Sequence, residues 1–212
     1  MKRLLFVASV LAWTATEGWA GLLVDQSPPN GNSFDITDFR LADDFTLSSV
    51  ASVNEIGFWY QAQFQTDLAA VTYAVYRDNA GSLATLLQSD TINTPDTSFD
   101  PVSGFFFANF VITPISLGGG TYWLELHAGS TLTDASGFTV SWAAADDNLT
   151  NVALENLSLG LPDAPVNASG FDQYAFQLSG TQTPEPGPAA LCALGFCAFA
   201  FAARRIRTTS TK

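Results

Sequence analysis

The sequence predicts an all-β protein: an antiparallel β-sandwich with a jelly-roll-like arrangement, with a closed barrel as the alternative. Three observations support this class. Apolar and polar residues alternate with a period of two in several short segments. Stretches rich in Asp, Asn, Gly, Pro and Ser separate these segments at short intervals. No segment between the two termini shows a convincing helical period.

The predicted strands follow from these patterns. Alternation predicts half-buried strands at residues 56–61, 71–76, 122–127, 138–143 and 173–178. Residues 105–112 are apolar on both faces, which predicts a central strand covered on both sides. Residues 85–91 form a further predicted strand. We expect one folded domain over residues 21–180, since this length is typical of a single domain.

The charge of this domain is strongly negative. Between residues 21 and 183 the only lysines or arginines are Arg40 and Arg77, against eighteen acidic residues, so the net charge is −16. Such a surface repels nucleic acid, which excludes DNA and RNA as partners. Both cysteines, Cys192 and Cys197, lie beyond the domain, which therefore cannot be a disulfide scaffold.

The C-terminal residues have the pattern of a membrane-sorting tail. Pro184, Glu185 and Pro186 precede an uncharged apolar stretch at residues 188–203, and the basic residues Arg204, Arg205 and Arg207 follow it. As a helix this stretch would reach roughly 24 Å, and thinning of a bilayer core of about 30 Å can accommodate that length. The arginines predict a cytoplasmic C-terminus. A buried core helix and a glycolipid-anchor signal are the alternatives.

The N-terminus has the pattern of a secretory signal peptide at residues 1–20. Lys2 and Arg3 precede an apolar region at residues 4–13, and the small residues Gly18 and Ala20 stand at the usual sites before a cut. We expect cleavage by signal peptidase between Ala20 and Gly21. A retained membrane anchor is the alternative. Both termini thus predict that the domain is exported.

The tail at residues 183–207 resembles the PEP-CTERM sorting domain of bacterial surface proteins. The residues that match are Pro184, Glu185, Pro186, Arg204, Arg205 and Arg207, while Thr183 and Ile206 depart from the usual pattern. The resemblance implies processing by an exosortase, a membrane-embedded cysteine protease. It also implies membrane anchoring by the tail, then delivery to the cell surface or the exopolysaccharide matrix of a Gram-negative-type bacterium.

The sequence does not favour an enzyme. His127 is the only histidine, and no Gly-x-Ser-x-Gly pattern accompanies it as a nucleophile. Carboxylate pairs that would suit a glycosidase arise by chance in a chain so rich in acids. We therefore expect a non-catalytic surface or matrix protein, and a secreted hydrolase is the least supported alternative.

Two predicted strands have a face suited to glycan binding. Alternation places the indole of Trp123 beside Glu125 and His127 on one strand, and Trp59 beside Gln61 on another. An exposed indole stacks on a pyranose ring while nearby amides and carboxylates bind its hydroxyls. If the two strands were neighbours, these five residues would form one aromatic platform. The alternative is that loops cover both tryptophans.

The acidic residues also suggest a calcium-stabilised structural or adhesive module. Aspartates outnumber glutamates fifteen to three between residues 21 and 183, and most fall in predicted loops, where hard oxygen ligands suit calcium. The candidate ligands are Asp35 with Asp38, Asp43 with Asp44, and Asp146 with Asp147. The alternative is that these aspartates cap turns and keep the surface soluble.

Overall fold

A computed structural model describes residues 19–132, 139–146, 153–156, 161–162, 164–165 and 172–182. The predicted sorting tail and its membrane span lie outside these residues, as does the signal peptide up to residue 18. Within the described part, no helix is both long and apolar enough to cross a membrane. The helical structure described there is a single 3-10 turn at Gln65–Asp67.

Fourteen strands make up the described fold. In chain order they are β1 (Trp19–Gln26), β2 (Pro29–Asp35), β3 (Arg40–Leu47), β4 (Ala51–Gln61), β5 (Ala70–Asp78), β6 (Leu83–Asn93), β7 (Asp96–Phe99), β8 (Phe106–Leu117), β9 (Gly120–Ala128), β10 (Ser141–Asp146), β11 (Leu154–Asn156), β12 (Ala164–Pro165), β13 (Asp172–Tyr174) and β14 (Phe176–Gln182). The predicted cleavage point between Ala20 and Gly21 falls near the start of β1.

The strands form two antiparallel sheets that pack together, which confirms the predicted β-sandwich. The eight-stranded sheet has the order β1-β14-β4-β10-β13, with β2 beside β10, and with β8 beside β4 and β7 beside β8. The six-stranded sheet has the order β12-β11-β3-β9-β5-β6. Residues Ala20–Gln182 belong to one compact unit.

The core lies between the sheets and is built from alternate residues of each strand. In β4 the inward residues Ile56, Phe58 and Tyr60 are fully buried. Across β10 and β13 the rings of Trp142 and Tyr174 stack with centroids 4.4 Å apart. Each such apolar side chain contributes about 1.5 to 3 kcal/mol on leaving water, so packing alone can stabilise a domain without disulfides.

Two expectations about the strands are corrected by the structure. Residues 105–112 were expected to be covered on both faces, but β8 alternates between buried and exposed residues, and Val111 is 75% exposed. Asp43 and Asp44 were expected in a loop, but both are buried in the middle of β3. Because an acidic pair interrupts the apolar alternation, the sequence pattern does not predict this strand.

Asp43 connects the two sheets. It alternates with the core residues Leu41 and Phe45, which places it on the inner side of β3. Its Oδ2 accepts a hydrogen bond from the backbone N–H of Tyr174 in the opposite sheet at 2.6 Å, and its Oδ1 accepts one from the N–H of Asp44 at 2.9 Å. A buried carboxylate thus satisfies backbone donors, which is a structural role.

Candidate functional site

The predicted site residues lie on the two outer faces of the sandwich, and these faces differ. We call the outer side of the eight-stranded sheet the open face, formed around Glu55, Gly57, Trp59, Gln61, Phe107, Asn109, Val111 and Gln177. We call the outer side of the six-stranded sheet the closed face, formed around Arg40, Ala42, Ala74, Tyr76, Trp123, Glu125 and His127. Most open-face side chains are partly or fully exposed, whereas every residue named for the closed face is buried.

The single aromatic platform expected from the sequence does not form. Trp59 lies in β4 of one sheet and Trp123 in β9 of the other, so the two strands are not neighbours. Trp123, Glu125 and His127 are fully buried, because β9 is a central strand between β3 and β5 and its outer side is covered. As a correction, Trp59 and Gln61 share the open face without the other three residues.

Trp123 is a packing residue of the closed face. Its indole lies in an apolar cluster with Ala42, Ala74, Tyr76 and Leu154, against which the partly buried Leu83 and Leu132 pack. Its Nε1 donates a hydrogen bond to Asp78 Oδ1 at 2.8 Å. The polar atom of the ring is therefore satisfied internally, and the ring face is not available to a ligand.

Arg40 and Glu125 form a buried two-pronged ion pair on the closed face. Arg40 Nε donates to Glu125 Oε1, and Arg40 Nη2 donates to Glu125 Oε2 at 2.8 Å and to the Tyr76 hydroxyl at 3.2 Å. Burial raises the pKa of Glu125, and the hydrogen bonds from Arg40 oppose that rise. Burial, followed by the charge of Glu125, also raises the pKa of Tyr76. Arg40 thus compensates the one buried glutamate of this face.

His127 has no exposed surface. Its Nδ1 lies 3.1 Å from the backbone carbonyl oxygen of Phe39, which orients the imidazole toward the connection that precedes β3. The residue therefore stands in the buried polar layer beside Glu125, not at a rim open to a substrate.

An aromatic pair dominates the open face. Trp59 of β4 and Phe107 of β8 are register partners, and their ring centroids are 4.6 Å apart with the planes at 51°. Trp59 is half-buried and rests on Phe105, Ala143, Ala145 and Ala175. This packing holds the indole in place while leaving part of it in solvent.

Gly57 leaves room for the Phe107 ring above β4. A Cβ atom at position 57 would stand 2.5 Å from Phe107 Cζ, closer than any ordinary contact. The sequence contains a signal for this, because a glycine inside a strand often marks the close approach of another group. The sequence pattern did not identify Phe107 itself, since its pairing with Trp59 joins strands far apart in the chain.

Hydrogen-bonding side chains surround the aromatic pair. Gln61 Oε1 accepts a hydrogen bond from Ser33 Oγ at 2.8 Å. Asn109 Nδ2 donates to Glu55 Oε1. On the far side, Gln177 Nε2 donates to Asp25 Oδ1 at 3.1 Å. These amides and carboxylates leave further lone pairs and N–H groups that can bind a hydroxylated ligand.

Asp100 lies beside the cluster that supports Trp59, because its backbone N–H donates to the carbonyl oxygen of Phe105 at 2.9 Å. Its Oδ2 accepts a hydrogen bond from Ser103 Oγ at 2.7 Å, and its Oδ1 accepts one from the Val102 N–H at 2.9 Å. The Ser103 and Val102 bonds lower its pKa, and a side-chain hydrogen bond with Trp59 adds to the effect. The carboxylate beside the indole is therefore ionised at neutral pH.

The expected calcium ligands are scattered. Asp35 Oδ1 accepts a hydrogen bond from the Thr37 N–H at 2.6 Å, which closes a turn, while Asp38 and Asp146 are exposed and Asp147 lies outside the described residues. Asp43 and Asp44 are the buried β3 residues described above. Within the described part, no group of three or more His, Cys, Asp or Glu side chains is arranged to hold a metal ion.

One electrostatic interaction between acidic residues was not identified from the sequence. Glu155 of β11 has a raised pKa, first because it is partly buried and second because the charge of Asp35 acts on it. The two carboxylates come from segments far apart in the chain, so no spacing rule could bring them together.

Comparison with models of known protein families finds no match, and comparison with characterised proteins finds none either.

Proposed function

We propose that the protein is an exported, non-catalytic component of the cell surface or the exopolysaccharide matrix, and that its open face binds glycan. A signal peptide at residues 1–20 and a PEP-CTERM tail at residues 183–207 would deliver it, with a single membrane-spanning helix at residues 188–203 before processing by an exosortase. The support for this route is the pattern of residues at both termini.

The Trp59–Phe107 pair carries the binding part of the proposal. Two partly exposed rings stand side by side on a rigid sheet, where pyranose rings stack with little loss of conformational freedom. The surrounding amide and carboxylate groups suit sugar hydroxyls, which need donors and acceptors in about equal measure. Trp123, by contrast, has no exposed ring to offer.

Retention of the purified full-length protein on immobilised exopolysaccharide from the native cells tests this role. Trp59→Ala and Phe107→Ala should each weaken binding about five- to 150-fold, since loss of one stacked ring removes roughly 1 to 3 kcal/mol of binding. Phe64→Ala, at another exposed aromatic residue, is the matched control and should bind as the parent does. Unchanged retention of both open-face variants would remove the glycan-binding part of the proposal.

The intact mass of the protein recovered from native cells tests the sorting route. A mature chain that begins at Gly21 and ends near Pro184, Glu185 and Pro186 is the expected result. A chain that retains every residue through Lys212 would contradict exosortase processing. In that case the C-terminal tail would be a permanent single-span membrane anchor.

Calcium stabilisation is the second candidate function. The charge of Asp35 contributes to the raised pKa of Glu155, and a cation bound by both carboxylates would relieve that repulsion. Melting curves with calcium and with chelator test it. Calcium that binds the native state at about 100 times its Kd would stabilise the fold by about 2.7 kcal/mol. Coincident curves would eliminate this function.

A further inference from the structure

The charges of the open face restrict the kind of glycan that can bind there. The eight strands of its sheet contain no Lys, Arg or His. Arg40 is committed to the buried ion pair of the closed face, and Arg77 belongs to β5 in the other sheet. A polysaccharide rich in uronic acids would therefore meet no cation on this face, and the net charge of −16 would repel it at long range.

Carboxylates, in contrast, stand around the aromatic pair. Asp100 stands next to the cluster that supports Trp59, since its backbone N–H donates to the Phe105 carbonyl oxygen at 2.9 Å and Trp59 packs against Phe105. Trp59 is also among the groups that lower the pKa of Asp100. Glu55 lies on the same face of β4 as Trp59, and Asp96 of β7 is the register partner of Asn109 in β8. The open face thus combines an electron-rich aromatic surface with negative charge at its margin.

This combination is what a cationic group requires. An ammonium over the face of an indole is attracted by the ring quadrupole, and tryptophan is the strongest of the aromatic side chains in this respect. A carboxylate at the edge of the same ring adds an ion pair to that attraction. Amines occur in polysaccharides where a hexosamine lacks its acetyl group.

We infer that the open face selects polysaccharides that carry primary amines, of the deacetylated hexosamine class, over acidic polysaccharides. The inference rests on the proposed glycan-binding function and names its ligand class. The ammonium lies over Trp59 within reach of Asp100, the neighbouring pyranose ring stacks on Phe107, and the amides of Gln61 and Asn109 bind hydroxyls.

The test compares retention of the full-length protein on chitosan, chitin and polygalacturonate beads. These polymers present amino, N-acetylamino and carboxylate groups on hexose rings. Binding should be strongest to chitosan, weaker to chitin and absent on polygalacturonate. Asp100→Asn should weaken binding to chitosan about tenfold and binding to chitin much less, because the ion pair with an ammonium needs the carboxylate, whereas a sugar hydroxyl can also bind the amide.

Asp90→Asn is the matched control for nonspecific attraction between an acidic protein and a basic polymer. It removes the same charge from an exposed residue of β6 in the other sheet, and its binding to chitosan should stay at the parental level. Equal weakening by both variants would mean that net charge alone is recognised, which overturns the inference.

The outcomes also separate the inference from the proposed function. Equal binding to chitin and chitosan, lost in Trp59→Ala but not in Asp100→Asn, would overturn the amine preference and keep the glycan-binding site. Binding to any of the three polymers that survives in both Trp59→Ala and Phe107→Ala would remove the site itself. Circular dichroism of each variant verifies that loss of binding is not loss of fold.

Discussion

Each outer face of the sandwich has a tryptophan, but one is buried and the other is partly exposed. Each carries an outward tryptophan next to an aspartate, Trp123 with Asp78 and Trp59 with Asp100. Trp123 is fully buried, whereas Trp59 stays partly in solvent. The two faces also differ in charge. The closed face contains an arginine that neutralises its buried glutamate. The open face has carboxylates and no cation. Burial of an unpaired charge has a large free-energy cost.

Truncation of the two tryptophans gives the largest expected contrast. Trp123→Ala should lower the free energy of unfolding by about 4 kcal/mol, since it leaves a cavity in a dry cluster. Trp59→Ala should lower it by about 1 kcal/mol, because part of that ring is already hydrated. Urea unfolding followed by far-UV circular dichroism measures both. Equal losses would mean that the open face is as well packed as the closed one.

Replacement of the two glutamates should show a smaller contrast of the same sign. Glu125→Gln keeps the shape of the side chain but leaves Arg40 as an uncompensated buried charge, which should cost about 3 kcal/mol. Glu55→Gln removes a carboxylate in contact with Asn109 on the open face and should change stability by at most about 0.5 kcal/mol. Chemical denaturation at neutral pH measures each difference. If Glu125→Gln left the free energy of unfolding unchanged, the ion pair would not contribute to stability.

Alkaline pH should weaken the core and the closed face. Burial raises the pKa of Tyr60 to about 12, and it raises the pKa of Tyr73 and Tyr76 in the same direction. An unfolded tyrosine ionises near its ordinary pKa of about 10. These tyrosines therefore make their full contribution to the free energy of unfolding below about pH 10. That contribution is lost as the pH rises toward their pKa values in the folded protein.

Thermal melts at stepped pH measure this loss, and phenolate absorbance identifies the groups that ionise late. Tyr76→Phe should flatten the alkaline decline, since phenylalanine has no proton to lose. A decline identical to that of the parent would assign the effect to Tyr60 and Tyr73 in the core.

Gly57→Ala should produce a small change in stability and a measurable one in binding. The new methyl group would meet the Phe107 ring, which can swing outward because that face is open, at a cost of about 1 kcal/mol. Gly180→Ala is the contrasting case: its Cβ would stand 2.0 Å from the backbone oxygen of Ser52, which cannot move aside. Differential scanning calorimetry ranks the two, and glycan retention reports the displaced ring.

The sequence predicted the sandwich because its inner faces follow simple alternation. The strands expected at residues 56–61, 71–76 and 122–127 lie within β4, β5 and β9. Strand β3 escaped prediction because Asp43 faces the core to bind the Tyr174 N–H, and a buried charge has no signature in a hydrophobic pattern.

The outer faces were harder to predict than the core. Alternation correctly placed Trp59 with Gln61, and Trp123 with Glu125, but it could not say which face is covered. The covered face contains Arg40, which meets Glu125 across 85 residues of sequence, and no local pattern encodes that pairing. Likewise, the register between β4 and β8 brings Phe107 to Trp59, and no local pattern encodes that register.

The position of the last strand has a mechanical consequence. β14 runs between β1 and β4, and it is paired with β4 along its whole length, from Phe176 opposite Phe58 to Gln182 opposite Ala51. The chain leaves the described fold at this strand. Tension applied through the C-terminus along the strand axis would therefore load two rows of hydrogen bonds in shear, so that they break together instead of peeling one by one. If the protein were attached through that end, a pulling force on the domain would not unfold it strand by strand from the point of attachment.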